Sequence, residues 1–443
     1  MRGEAADSRR PRPGRHRLRA WYIPAHEGSA QPLLTPDLER TKSVAGPEHS
    51  ADPESPYRAP EVSTRFLRRS PEPARPAVTM DVACRVAARN TRMSHNGSPH
   101  RRMGMDVIVI GAGYAGLLAA NRMARHARVL LIDRRDKAVD RIRLHQLVAG
   151  TRHVDKVACP LRTRLHRRAD LARGEVVDVS PGRVHLADGR EFQAQHIVLA
   201  CGHGVARPGS LDSLEAALTL RDALSRLRSG TVEVIGAGLT GIETATEIAA
   251  ARPDLTVSLV HRDLPDLAPR AMTQLTTRLG QLRIELTEQS RGGDLTIDAT
   301  GPDPEPLTRG LTVDPFLRIL RDGQPQPGLW GAGDAVRVAG RDWLHRGCAS
   351  AMPMGATVAD AVLASLAGQA PKPLDFGYDK RLLSLGRGVG SHESLNPDGT
   401  PTGRTVTGRM GAAAKELISR AAWLVPARLP HLYGPAMWAR GPR

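Results

Sequence analysis

An α/β fold with parallel sheets is what this sequence predicts, on three observations. The stretch "DVIVIGAGYAGLLAANRMARHARVLLIDRRD", residues 106–136, runs from an apolar strand through a glycine loop into an Ala-rich helix and back to a second apolar strand. "VEVIGAGLTGIETATEIAAARPDLTVSLVHRD", residues 232–263, repeats that order. Strand and helix patterns go on alternating outside the two units, which is the mark of a parallel sheet with helices on its faces.

Residues 1–104 stand apart. They are rich in Pro, Arg, Ser and Glu and hold no sustained period. Such a segment cannot bury enough apolar surface to offset its chain entropy, so it reads as a disordered or non-native N-terminal extension. Met80, Met93, Met103 and Met105 are alternative starts ahead of the first strand.

In the first unit Gly111, Gly113 and Gly116 fit G-x-G-x-x-G, with Tyr114 and Ala115 opening the helix. The first glycine allows the tight turn, the second lets a pyrophosphate approach the backbone, and the third lets helix pack on strand. Free N–H groups and the dipole of the new helix favour the phosphate charge. Asp133 ends the next strand, 22 positions on (133 − 111), where it can accept hydrogen bonds from a ribose diol; Arg134 follows it. This is a Rossmann-like dinucleotide cradle.

Residues 175–202 contain short alternating runs around "SPG" and "ADGR", which read as antiparallel hairpins. "HIVLACG" follows as a buried strand ending at Gly202, and "SLDSLEAALTLRDALSRLRSG" as a helix ended by Gly230. The second unit repeats the glycine spacing at Gly236, Gly238 and Gly241. Where the first has an acid, it has His261 and Arg262. A carboxylate there would repel a 2′-phosphate, whereas a His–Arg pair offers it a cation. Two different dinucleotides are therefore expected, the second being NADPH, or NADH with little discrimination. The alternative is that His261 and Arg262 are solvated loop residues.

"LTIDATG" closes the second unit at Gly301. That is 65 positions after Gly236 (301 − 236), against 91 from Gly111 to Gly202 (202 − 111), so the second unit looks trimmed. "GLWGAGDAV" then carries Gly331, Gly333 and Asp334, and a helix is expected to begin between Ala349 and Met354.

Composition narrows the classes. Only 14 aromatics occur (4 Phe, 5 Trp, 5 Tyr), so aliphatic side chains must fill the core. The formal net charge is +17, yet no basic block sits on a nucleic-acid-binding motif, and no nucleic-acid partner is expected. Cys84, Cys159, Cys201 and Cys348 are scattered without a C-x-x-C pair, which argues for a reducing compartment and against bound metal. No run of 18 apolar residues predicts a membrane-spanning helix. A cytoplasmic location follows, with a peripheral position at the inner face of the cell membrane as a variant.

Two dinucleotide units followed by "LACG", "DATG" and "LWGAGDAV" resemble the two-dinucleotide-binding-domain flavoproteins of the pyridine nucleotide–disulfide oxidoreductase superfamily. The resemblance implies FAD in the first unit and NAD(P)H in a second unit inserted into the FAD domain. It divides the chain into an FAD-binding part at 105–215, a trimmed NAD(P)H-binding part at 216–301, a second FAD-binding part at 302–373 and a C-terminal region at 374–443. It implies that Asp334 meets the flavin's ribityl–pyrophosphate region and that the following helix aims its N-terminus at the flavin. The redox Cys pair of the disulfide reductases is missing. In its place stands "RIRLHQLVAG" with Arg143, His145 and Gln146, which is similar to the type II NADH dehydrogenases and the apoptosis-inducing-factor-like flavoproteins. That similarity implies that Glu243 orients the nicotinamide, against the simpler role of an acid near a helix N-terminus. It also places His145 and Gln146 near the flavin, with a helix cap as the alternative role of His145.

The function implied is an FAD-dependent NAD(P)H dehydrogenase passing electrons to a quinone or another small acceptor. A flavin oxidase or monooxygenase-like enzyme with an organic substrate, and a non-catalytic redox-sensing flavoprotein, are the alternatives. In the tail, Trp423, Leu424, Val425, Tyr433, Met437 and Trp438 lie among Lys415, Arg420, Arg428 and Arg440. Aromatics with cations suit a lipid surface; packing on the body of the enzyme or in a homodimer is the alternative.

Overall fold

The computed structural model describes residues 104–442, apart from 203, 205, 206 and 304. Apart from Gly104, the expected N-terminal extension lies outside the described residues. The first sheet is built on five parallel strands in the order β5–β2–β1–β8–β15: β1 (Met105–Ile110), β2 (Val129–Asp133), β5 (Asp170–Arg173), β8 (Glu191–Leu199) and β15 (Gln324–Gly331). β2 is buried at all five positions, because helices cover both faces of a parallel sheet. β14 (Arg318–Arg321), β13 (Thr312–Val313) and β16 (Arg337–Val338) extend its far edge. The "SPG" and "ADGR" turns do form hairpins, linking β6 (Val176–Ser180), β7 (Arg183–Leu186) and β8. A short ribbon pairs β3 (Lys137–Val139) with β4 (Ala158–Pro160).

The second sheet has four parallel strands in the order β11–β10–β9–β12: β9 (Gly230–Ile235), β10 (Leu255–Val260), β11 (Glu285–Thr287) and β12 (Leu295–Asp298). Among the described residues it carries no antiparallel addition, as the short spacing to Gly301 predicted. Each sheet has its own aliphatic core, one around Ile108, Leu131 and Ile197 and the other around Val234, Ile242 and Leu259.

Helix α1 (Tyr114–Met123) follows β1, and α2 (Leu144–Val148) lies between the two units. Helix α3 (Leu214–Arg226) starts at Ser213, whose hydroxyl accepts from Ala216 N at 3.0 Å. It does not run to Gly230. Leu227 already turns extended, and Gly230 opens β9 with φ +131° instead. Helix α4 (Leu239–Ala251) follows the second glycine loop, and α5 (Pro269–Gln281) precedes β11.

Helix α6 (Cys348–Leu366) begins one residue before the expected span. It is long and apolar enough to cross a membrane, but Ala351, Met354, Val358 and Val362 belong to the first core, so it is a core helix. Gly355 lets it meet α1: a Cβ there would stand 2.5 Å from Ala115 O. The tail, whose pattern predicted little, folds as a three-stranded antiparallel sheet and a helix. The strands are β17 (Lys380–Ser384), β18 (Gly390–Leu395) and β19 (Pro401–Thr407), and the helix is α7 (Gly408–Arg428).

Candidate functional site: two nucleotide cradles and a buried ion-pair cluster

The first glycine loop makes a tight turn between strand and helix. Gly111 takes φ +99°, and a Cβ on it would stand 2.5 Å from Ala200 O. A Cβ on Gly116 would fall onto Gly111 O, so this third glycine seats α1 against β1. Gly113 is the N-cap of α1 with no side-chain cap, no acid in the first turn and nothing within 4 Å of a Cβ position. Its first-turn N–H groups are thus free for an anion. Gly111, Asp133 and Arg134 line a cavity of about 310 Å³ with Cys201 and Glu305. Gly202 closes β8 with φ +82°.

Asp133 is 6% exposed and its carboxylate is fully engaged. Oδ1 accepts from Arg135 N (2.8 Å) and Nε (3.0 Å), and Oδ2 from Ala112 N (2.7 Å) and Arg135 Nη2 (3.1 Å). A carboxylate offers about four acceptor sites. A ribose diol therefore reaches Asp133 only by displacing an arm of Arg135, a competition the sequence reading did not foresee. Burial, the largest single effect, raises this carboxyl, but the Arg135 charge and the hydrogen bonds from Arg135 and Ala112 together hold it below its ordinary range. Arg134, expected beside the cofactor, is partly drawn to Glu305 at 3.8 Å.

Arg141 was missed by sequence reading. It lines the same cavity, and among the described residues its guanidinium makes no hydrogen bond or ion pair. Burial, and next the Arg135 charge, lower its pKa, while Asp212, Asp334 and the Tyr114 hydroxyl act the other way. A desolvated cation without a bonded carboxylate suits a phosphate. Arg141→Ala is expected to weaken FAD about 10- to 100-fold, the worth of one charged hydrogen bond of about 1.5–3 kcal/mol. Quenching of flavin fluorescence on titrating deflavinated protein would measure it; unchanged affinity would assign Arg141 to folding alone.

At the other end of this unit Asp334 accepts from Gly347 N at 2.7 Å, tying the G-x-G-D turn to the start of α6. Gly333 takes φ +67°, and Gly347 is the N-cap, again without a side-chain cap or first-turn acid. Ala349 is exposed on the first turn. Tyr114 donates to Asp140 Oδ1 at 2.6 Å, and Arg143 lies 3.3 Å from Asp140.

The second cradle repeats the first. Gly236 takes φ +100°, a Cβ on Gly241 would fall onto Gly236 O, and Gly238 is an uncapped, acid-free N-cap with open space above it. His261 ends the strand pairing as predicted: its N donates to Thr287 O at 2.8 Å, and both His261 Nδ1 and Thr287 Oγ1 are buried without a partner. Arg262 is exposed. Gly301, with φ +96°, has its carbonyl held by Arg207, which also pairs with Asp298 at 2.8 Å. Free helix starts in both cradles, and orphaned polar atoms in the second, fit phosphates and ribose hydroxyls.

Glu243 sits in a buried cluster where four segments meet. Its Oε1 accepts from Lys415 Nζ on α7 and from Ser384 N at 2.9 Å, and its Oε2 lies 3.9 Å from His145 Nδ1 on α2. Lys415 is the partner that sequence could not supply, since 172 residues separate the pair. Burial lowers the His145 pKa, with Glu243 pulling the other way, so the ring is neutral at pH 7. One turn on, Glu247 accepts from Thr151 Oγ1 and pairs with Arg387 at 3.4 Å. Gln146, expected beside the flavin, instead accepts from Arg152 Nε (2.7 Å) and Arg143 Nη1 (3.2 Å). These arginines also grip Glu416 of α7 at 3.3 and 2.7 Å. Although burial acts to raise it, Glu416 is pulled down to about 2 by Arg143, Arg420 and Arg152.

Cys159, Cys201 and Cys348 are free, and burial pushes Cys201 to about 12 and Cys348 to about 11, so both stay thiols. The tail aromatics pack on the body of the protein, one of the two readings the sequence left open. Trp423 stacks under Arg164 at 4.0 Å, Tyr433 packs on Trp438, and the Trp438 indole donates to Asp375 O at 2.8 Å. A buried indole or phenol turns to where its polar end finds a partner.

Residues 105–291 match the family model for pyridine nucleotide-disulphide oxidoreductases. These residues belong to that family. Its members use FAD and NAD(P)H. Among similar proteins are ferroptosis suppressor protein 1 of Taeniopygia guttata, 30% identical over 39% of this chain and 46% of that protein. The type II NADH:quinone oxidoreductase Ndh of Mycobacterium tuberculosis is 26% identical over 53% of this chain and 59% of its own length. The chain thus spans only about half of each of these relatives. NDH2 from Plasmodium falciparum, solved with NADH, shares the fold with a TM-score of 0.59 at 13% identity, over 74% of this chain and 98% of that one.

Proposed function

We propose that this pyridine nucleotide-disulphide oxidoreductase is an FAD-dependent NAD(P)H dehydrogenase that passes electrons to a quinone or another small acceptor. The observation that carries the reading is the pair of cradles with free, acid-free helix starts, joined through the Glu243 cluster rather than through a redox disulfide. In this reading 105–215 and 302–373 hold FAD, 216–301 holds NAD(P)H, and 374–443 covers their junction.

FAD, when bound, supplies the two-electron acceptor for a nicotinamide hydride and the donor to the final acceptor. The protein's part is to position both nucleotides. The amides after Gly111 and the Arg141 guanidinium hold the first pyrophosphate, and Asp133 takes the ribose. Asp334 and the start of α6 hold the flavin end, with Ala349 small enough to leave that end open. The amides after Gly236 hold the second pyrophosphate, with His261 and Arg262 beside its ribose. Glu243 orients the nicotinamide, its carboxylate fixed by Ser384 N. Neutral His145 is a hydrogen-bonding neighbour to the same site.

Anaerobic addition of NADH or NADPH to the purified holoprotein should bleach the flavin band, with NADPH accepted at least as well as NADH. A short-chain quinone should then restore it. Bound flavin that neither nucleotide bleaches would overturn the dehydrogenase reading, and failure of quinone alone would remove only that acceptor.

A lipid surface at the inner face of the cell membrane is the place we assign to the tail. On α7, Met410, Leu417 and Leu424 are 74%, 69% and 49% exposed and recur every seven residues, with exposed Arg409, Arg420 and Arg428 beside them. Leu432 and Met437 extend the patch. An apolar stripe edged with cations binds an anionic interface. The protein should co-sediment with phosphatidylglycerol vesicles and Leu417→Glu should release it; a dimer that Leu417→Glu splits, without vesicle binding, would make the stripe a homodimer contact instead.

A further inference from the structure

A second cavity, of about 490 Å³, lies between α5 and the edge of the small tail sheet. It shares no lining residue with the first cradle or with the 236–241 loop. Arg270, Thr273, Thr277 and Arg278 face it from α5, and Val389 and Thr407 from the sheet. No carboxylate lines it, and α5 has no acid along its whole length.

Several arginines elsewhere are neutralised by acids, as Arg381 is by Glu393 at 2.7 Å and Arg252 by Asp254 at 2.6 Å. Here they are not. Arg270 makes no hydrogen bond or ion pair among the described residues. Arg278 donates only to Leu385 O at 3.0 Å and Gln281 Oε1 at 3.3 Å.

Thr407 is the N-cap of α7, a 21-residue helix, but its hydroxyl makes no cap bond and the first turn holds no acid. Gln274 of α5 bridges to this helix start: with its amide oriented to satisfy both neighbours, it donates to Gly390 O (3.0 Å) and accepts from Gly408 N (2.6 Å). Ser391 stands directly across the ladder from Thr407, so both side chains leave the same face of the sheet. Ser391 is 1% exposed and its hydroxyl has no partner. The Thr405 hydroxyl on that face is orphaned too. Glu393, the acid of the face, is consumed by Ala268 N (2.6 Å) and Arg381. The cavity thus gathers two cations without acid partners beside a helix N-terminus that no acid caps, with no carboxylate in its wall.

We propose that this cavity binds a small soluble phosphate-bearing anion, held by Arg270 and Arg278, with the Thr277 hydroxyl and the first turn of α7 beside it. Two turns of helix separate the arginines, about 12 Å. A ligand with two phosphates can give one to each arginine, which suits diphosphate or nucleotide size. Its binding would clamp the tail to α5 without touching either cradle.

Inorganic pyrophosphate is the probe. It is titrated calorimetrically into full-length, FAD-loaded protein saturated with NAD+, so that both cradles are filled. Saturable binding is expected, with orthophosphate at least about tenfold weaker, since it carries less charge and has a single phosphate to share between the arginines. Arg270→Glu should weaken pyrophosphate at least about tenfold, with flavin content and bleaching by NADH unchanged. Arg270 is exposed and bonds to nothing, so the variant should fold. No saturable heat from the wild type, or equal affinity in Arg270→Glu, would overturn the site. Heat that vanishes only in anionic-vesicle competition, with Arg270→Glu unaffected, would assign it to the lipid-facing cations of α7 and overturn it equally.

Discussion

Gly116→Ala should leave the column without flavin, and Gly241→Ala should leave it yellow but unresponsive to NADH. A methyl at either glycine lands on the carbonyl oxygen of the first loop glycine, Gly111 or Gly236. Neither carbonyl can swing away. Gly111 and Gly236 already take φ near +100°, and Gly111 is pressed against Ala200. The helix must therefore lift off its strand, carrying the phosphate-binding N–H groups with it. Overpacking of this kind costs about 1–3 kcal/mol at least, which is about 5- to 150-fold in affinity. Flavin content after gel filtration, read from absorbance, checks the first variant, and anaerobic bleaching checks the second. The two units have separate aliphatic cores, so damage to one should leave the other folded. Flavin lost from Gly241→Ala but kept in Gly116→Ala would exchange the two nucleotides between the cradles. Flavin kept by both would remove the first cradle as the FAD site.

The cradles were legible because everything that defines them is local. A glycine needed for a turn, a glycine needed for a close approach and an acid at the next strand end all lie within one strand–helix–strand unit. The Asp133–Arg135 bond is as local, two residues apart, and D-x-R could have been read as a competitor to the ribose. The tail was opaque for the opposite reason. β17, β18 and β19 read KRLLS, GSHESL and PTGRTVT, with no clean apolar alternation, because the face they turn to α5 is built on the Arg381–Glu393 pair and hydroxyls. Helix α3 was drawn too long because Gly230 looked like a helix stop. The glycine is instead required at the start of β9, where a Cβ would press on the Asp294 carboxylate. Lys415, which completes the Glu243 site, comes from a helix whose contact with α4 no local pattern announces.

That pair gives the second large expectation. Glu243 and Lys415 have side chains 8% and 17% exposed. Deleting one partner strands the other charge in a poorly hydrated place, so Glu243→Ala is expected to destabilise the fold by about 3–5 kcal/mol. Neutral His145 cannot take over, since protonating a buried ring is itself opposed. Glu243→Ala combined with Lys415→Met removes both charges and should recover most of the loss, as buried pairs replaced by apolar groups commonly do. Denaturant melts of the two single variants and the double close this cycle. The rate then separates structure from chemistry. If Glu243 orients the nicotinamide, the stable double variant should still be bleached about 100-fold more slowly, the worth of lost positioning. If bleaching recovers along with stability, the carboxylate only holds α7 in place. Lys415→Met alone supplies an independent readout. It leaves Glu243 facing His145 at 3.9 Å without a competing cation, and Lys415 is among the charges that lower the ring. The His145 pKa should therefore rise toward or above its ordinary 6.5. In the wild type its depressed value makes stability fall as pH drops below about 6.5, because the unfolded chain binds the proton first. In Lys415→Met that fall should shrink or reverse, and a histidine titration followed by NMR that does not move would place Lys415 outside the cluster's electrostatics.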